Sequence, residues 1–95
     1  MVSKLILQER LILADDLFAE MVVWQVEPPV RGSLHVYKYR LALVQSGSCV
    51  LRYDNEAGKG DHRHGQEGET AITFTDVESL LDAFFAEVQR WSAKR

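Results

Sequence analysis

The sequence has a single cysteine, Cys49, so no internal disulfide can form. A lone thiol fits a reducing compartment, and the cytoplasm is the expected location. Within a strand pattern Cys49 reads as a small hydrophobe rather than a nucleophile. Proline is confined to Pro28 and Pro29, which leaves one place where a strand ladder must break. No apolar run approaches the roughly 20 residues of a membrane helix. Leu5-Ile6-Leu7 is interrupted at once by Glu9 and Arg10, too soon for a secretory signal. There is no Gly-x-Ser-x-Gly elbow, no Cys-x-x-Cys pair, no internal repeat and no low-complexity tail. With 95 residues, one domain over 1–95 is expected, because two half-sized cores could not offset their ordering entropy.

What is present is ordinary in bulk and uneven in detail. Hydrophobic residues make 46% and charged residues 26% of the chain, which places it among globular rather than disordered proteins. The net charge of −3 hides a division. Residues 31–63 hold Arg31, Lys38, Arg40, Arg52, Lys59 and Arg63 against only Asp54, Glu56 and Asp61, while both ends are acidic. A basic middle in an acidic protein can draw a polyanion to one surface. The same bases could equally pair with nearby acids on the solvent face of a sheet.

Periodicity predicts an α+β fold: an antiparallel, meander-like sheet of four to five strands with one C-terminal helix on one face. Leu5–Leu13 and Phe18–Val26 read as two strands around the turn Ala14-Asp15-Asp16. A third, Leu34–Val44, sets Tyr37, Tyr39, Leu41 and Leu43 against Lys38 and Arg40. Gln45-Ser46-Gly47-Ser48 turns it into a fourth, Cys49–Tyr53. A turn on Gly47 puts residue i opposite 94 − i, which pairs Leu43 with Leu51, Leu41 with Tyr53 and Arg40 with Asp54. Slippage by one residue would ruin both faces. Residues 54–70 read as a long solvated loop, followed by a short strand Ala71–Phe74. Thr75-Asp76-Val77-Glu78 has capping-box spacing, and Val77, Leu80, Leu81, Phe84, Phe85, Val88 and Trp91 form one apolar helical stripe.

Chemistry concentrates in Arg52–His64, which packs three carboxylates, two histidines, two arginines and a lysine into one segment. Three readings stand side by side. In the first, His62 and His64 exchange protons with a phosphodiester and no cofactor is needed, with Arg52, Lys59 or Arg63 stabilising developing charge. In the second, His62 and His64 share one face of an extended backbone and hold a divalent metal ion, completed by Asp54, Glu56 or Asp61. In the third, the acids and bases merely pair with one another. Gly58-Lys59-Gly60 is no P-loop, since the spacing and the following Ser or Thr are missing.

The segment "RYDNEAGKGDHRH", from Arg52 to His64, with "YKYRLAL" at Tyr37–Leu43 and "EMVVW" at Glu20–Trp24, resembles the TumE-type toxins of bacterial toxin–antitoxin systems. The resemblance implies a small toxin neutralised by a cognate antitoxin. The family's motif maps onto Arg52, Tyr53, Asp54, Asn55, Glu56, Gly58, Lys59, Gly60, Asp61, His62, Arg63 and His64. By analogy across families, with small toxins that are ribonucleases, the expected target is RNA. His62, His64, Lys59, Arg52 and Arg63 are then the expected catalytic set. Lys38, Arg40, Tyr53 and Asn55 are the expected substrate contacts, and Asp54, Glu56 and Asp61 the expected metal ligands if an ion is used. The alternative is a non-catalytic module whose basic central face binds a partner protein or nucleic acid. Exposed sheet edges allow a homodimer without demanding one.

Overall fold

Strands form where large apolar side chains alternate with polar ones. The computed structural model describes residues 2–56 and 58–95; Met1 and Ala57, the latter inside the expected loop, lie outside the described residues. The strands are β1 (Val2–Ala14), β2 (Leu17–Glu27), β3 (Tyr37–Gln45), β4 (Ser48–Asp54), β5 (His62–Gly65) and β6 (Gly68–Ala71), followed by helix α1 (Val77–Ala93). All neighbouring strands are antiparallel, and the sheet order is the chain order, β1-β2-β3-β4-β5-β6. This is the expected α+β meander, with six strands in place of four or five.

The additional strands come from the stretch read as a loop. His62-Arg63-His64 is extended and pairs with β4, as Asp54↔His62, Tyr53↔Arg63 and Arg52↔His64. The chain then folds back through Gly65↔Gly68 into β6. The expected strand at Ala71–Phe74 shrinks to Ala71, the last residue of β6. Past it, the Ile72 N–H still donates to the Asp61 carbonyl at 3.1 Å.

The β3–β4 register follows 94 − i from Arg40↔Asp54 to Leu43↔Leu51 and then shifts by one, to Val44↔Cys49 and Gln45↔Ser48. A two-residue turn closes Gln45 on Ser48, so Val50 is the extra residue of a bulge. The turn itself needs left-handed backbone at Ser46 (φ 50°) and Gly47 (φ 81°), the conformation of a hairpin turn that glycine adopts freely. At Gly32 a side chain would meet the Gly58 carbonyl oxygen at 2.6 Å, so the two loops touch only because that position is bare.

Helix α1 starts one residue later than the capping-box spacing suggested. Asp76 is extended (φ −157°), and its carboxylate accepts from the Ser79 N–H at 2.7 Å. Leu80, Phe84 and Val88 point into the sheet and are buried with Leu17, Ala19, Met21, Val23, Tyr39, Leu41, Leu43, Leu51 and Tyr53. Phe84 meets Tyr53 edge to face, ring centres 5.5 Å apart. One face of the sheet is therefore covered by α1 and the other is open. At the far edge β1 has a neighbour on one side only, and Val2, Leu5, Ile6, Leu11, Ile12 and Leu13 remain exposed.

Candidate functional site

β4 alternates Leu51 and Tyr53 toward α1 with Arg52 and Asp54 away from it, and pairing extends that alternation to its neighbours. On the open face Arg40, Asp54 and His62 stand in one cross-strand row, and Ala42, Arg52, His64 and Glu69 in the next. The clustering of Asp54 with His62 and His64 thus follows from register, not from a folded loop.

Asp54 is 7% and His62 6% exposed, and a buried carboxylate is costly without partners. Arg52 Nε lies 2.9 Å from Asp54 Oδ2, and His62 Nε2 lies 2.8 Å from Asp54 Oδ1. Both are close contacts rather than aligned hydrogen bonds, since Arg52 Nε and Asp54 Oδ1 have no hydrogen-bond partner. Asp54 is thus held by its strand neighbour Arg52 and by His62; Arg40 sits opposite it in register but makes no ion pair among the described residues. His62 Nδ1 donates to the Gly60 carbonyl at 2.8 Å, because a carbonyl can only accept. His64 Nδ1 lies 3.5 Å from Glu69 Oε2, and its Nε2 is buried without a partner. The two imidazoles meet edge to face with centres 4.7 Å apart. One ligating atom from each of Asp54, His62 and His64 lies within 4.8 Å of the others, close enough for the trio to hold a metal ion.

The other expected site residues divide among different surroundings. Arg63 faces α1, where its guanidinium holds Glu87 two-pronged, Nη2 to Oε1 at 2.6 Å and Nε to Oε2 at 2.8 Å. The Tyr53 hydroxyl donates to the same carboxylate. Burial would raise the Glu87 carboxyl, but the hydrogen bonds from Arg63 and Tyr53 outweigh it and hold it below the usual carboxylate range. Burial, then the bond to Glu87, pushes the Tyr53 hydroxyl well above its ordinary range. Lys59 lies 3.6 Å from Glu69 at the surface. Asn55 is fully buried: its amide oxygen accepts from the Tyr39 N–H at 3.1 Å and its nitrogen donates to the Tyr37 carbonyl at 2.6 Å. It ties the end of β4 to β3.

Of Asp54, Glu56 and Asp61, the acids expected to complete a metal site, Asp54 is brought to His62 and His64 and the other two are placed elsewhere. Asp61 accepts from the Tyr39 hydroxyl at 2.6 Å and pairs with His35 Nε2 at 2.8 Å, and the His35 ring stacks 3.8 Å from Phe74. Burial, then the bond to Asp61, pushes the Tyr39 hydroxyl far above its usual range, so it stays a donor. Glu56 and Lys38 line an open hollow of about 560 Å3 together with Trp24, Pro28, Pro29, Val30 and Arg31.

Sequence reasoning missed Glu87, Glu69, His35 and Trp24. Glu87 carried a readable signal, because it sits on the apolar stripe three residues after Phe84 and four before Trp91, where a charge needs a partner. The pairing of His35 with Asp61 spans 26 residues and left no local mark.

A family model described as Toxin TumE matches residues 2–92. Among curated proteins and among solved structures none matches. Among the described residues no helix is long and apolar enough to cross a membrane. The family match takes in all six strands and most of α1, and on it the chain belongs to the TumE toxin family, the toxin side of a toxin–antitoxin pair.

Proposed function

We propose that this toxin acts on RNA along the open face of its sheet. The observation that carries the reading is the continuity of that face. The hollow around Trp24, Lys38 and Arg31 leads through Arg40, two residues along β3 from Lys38, to the group of buried Asp54 and His62 with half-buried His64. The half-buried Trp24 offers a ring on which an unpaired base can stack. Lys38, Arg31 and Arg40 meet the backbone phosphates of the same strand. Arg40 then sets a phosphodiester against the trio, and Arg52 completes the positive rim. Two chemistries are open to two imidazoles beside a carboxylate: proton transfer, or the holding of an ion that polarises the phosphate.

This arrangement favours a reacting centre over a merely electrostatic binding surface. Arg52, Lys59 and Arg63 are each drawn to an acid of the chain itself, which lowers the net positive charge that this part of the surface offers to a polyanion. The cognate antitoxin is the partner that the family implies. The test is induced expression without antitoxin, followed by RNA integrity in the arrested cells. Cleaved RNA with the parent and intact RNA with Arg40→Ala or Trp24→Ala is the expected result. Growth arrest with RNA intact throughout would end the reading.

A further inference from the structure

We infer that Asp54, His62 and His64 form a site for one divalent transition-metal ion of the manganese, nickel or zinc class. The inference concerns the same centre as the RNA reading and rests on it only for the use of the ion; binding itself is read without RNA.

The argument begins with which atoms are free. His62 Nδ1 is fixed on the Gly60 carbonyl, so Nε2 is the nitrogen turned toward Asp54. His64 Nδ1 faces the Glu69 carboxylate, so Nε2 is again the nitrogen left over, and it is buried without a partner. Asp54 has Oδ2 beside Arg52 and Oδ1 unpartnered, on a side chain that is nine-tenths buried. Each of the three residues thus has one polar atom beside a neighbour, hydrogen-bonded in His62 and in looser contact in Asp54 and His64, and a second atom left without an aligned partner. Metal-ligating histidines show this division, one nitrogen on a carbonyl or carboxylate and the other on the ion. An unmet carboxylate oxygen 2.8 Å from an imidazole nitrogen, out of line for a hydrogen bond, is the remaining oddity. With metal–ligand bonds of about 2.0–2.2 Å, adjacent ligand atoms stand about 3 Å apart, so a shared cation accounts for that distance.

The donor set selects the ion. Two imidazole nitrogens and one carboxylate oxygen suit a borderline transition ion, whereas magnesium and calcium favour oxygen alone. Three protein ligands leave coordination positions open, as in sites that act on a substrate rather than in closed structural ones. The three residues lie on the face that α1 does not cover, in the same two cross-strand rows as Arg40 and Arg52.

The test uses the tag-free, chelator-treated full chain. Thermal melts with manganese, nickel or zinc chloride should rise by about 10–20 °C at free ion a hundred times the dissociation constant, with magnesium and calcium far weaker. Titration calorimetry should give one ion per chain, and cobalt should develop a visible ligand-field spectrum. His64→Ala should lose the rise and the spectrum. His35→Ala, a histidine bonded to Asp61 instead, should keep both. Glu69→Gln should weaken binding about 10–100-fold while keeping the fold, as loss of an anchoring partner does. The inference is overturned if the parent shows no rise and no cobalt spectrum, or if the His35 and His64 variants respond alike. An ion that binds as described while RNA stays intact in arrested cells would instead retire the RNA reading and leave the site standing.

Discussion

The two faces of β3, β4 and β5 are made by the same strands, yet they hold different kinds of residue. Toward α1 lie Tyr39, Leu41, Leu43, Leu51 and Tyr53, packed on Phe84. Away from it lie Arg40, Arg52, Asp54, His62 and His64. The covered face gains from area removed from water, which is insensitive to exact geometry and additive over many contacts. The open face gains little from area and depends instead on a few charges set by cross-strand register. On the function proposed above, stability and chemistry are carried by alternate residues of the same strands, and substitutions should separate them.

The largest expected effect is on the covered face. Phe84 is fully buried, and Phe84→Ala should cost about 3–5 kcal/mol. Against a total of about 5–15 kcal/mol, that is enough to lower the melting temperature severely. A melt within a degree or two of the parent would mean that α1 does not hold that face.

Asn55→Ala sharpens the comparison, because Asn55 is polar yet works for stability. Removing its amide strands the Tyr39 N–H and the Tyr37 carbonyl, at about 1–3 kcal/mol for each group left buried without a partner. Denaturant unfolding reads this directly. A stable variant with weakened RNA binding would instead move Asn55 to the functional face.

Glu87 offers a pH test at the rim of the covered face. Glu87→Gln should cost about 1–2 kcal/mol at neutral pH, between the values for exposed and for buried charged pairs. The folded-state carboxyl is held below its usual range. The stabilisation it brings is therefore fully present above the ordinary glutamate pKa of about 4.3 and fades as pH falls through the lowered folded value. Melting curves of parent and variant should converge only below that ordinary value, and a gap unchanged to the lowest pH would contradict the assignment.

The smallest stability effect belongs to Arg40→Ala. Arg40 is half-buried and makes no ion pair among the described residues, so its loss should stay within about 0.5 kcal/mol. Growth inhibition should nevertheless fall sharply. A variant that remains fully toxic would break the division between the faces at its central residue.

The parts legible in the sequence are those written in hydrophobic period. Alternation at Tyr37–Leu43 and the stripe from Val77 to Trp91 predict β3 and α1, and matching side chains predict the register from Arg40 to Leu43. β5 was not legible because its residue on the covered face is Arg63, a charge made acceptable there by Glu87, 24 residues away. Without an apolar residue at that position His62-Arg63-His64 reads as a solvated loop, and its glycine-bounded neighbour β6, exposed throughout, reads the same way. Likewise, the chemistry of Arg52–His64 was visible as composition and the shared face of His62 and His64 as their spacing, but which acid joins them was not. The strand pairing joins Asp54 to His62 and leaves Asp61 with His35, and no local pattern encodes that choice.

The sheet order has a consequence for the order in which a growing chain can fold. Because every strand pairs with its predecessor, β1 to β4 can build on one another as they leave the ribosome, with no wait for a distant partner. His62 and His64 arrive only with β5, and the helix that seals the other face arrives last of all. A chain cut short before residue 62 is thus a sheet with Asp54 and no histidine beside it. On the function proposed above, such a chain lacks both imidazoles of the reacting centre.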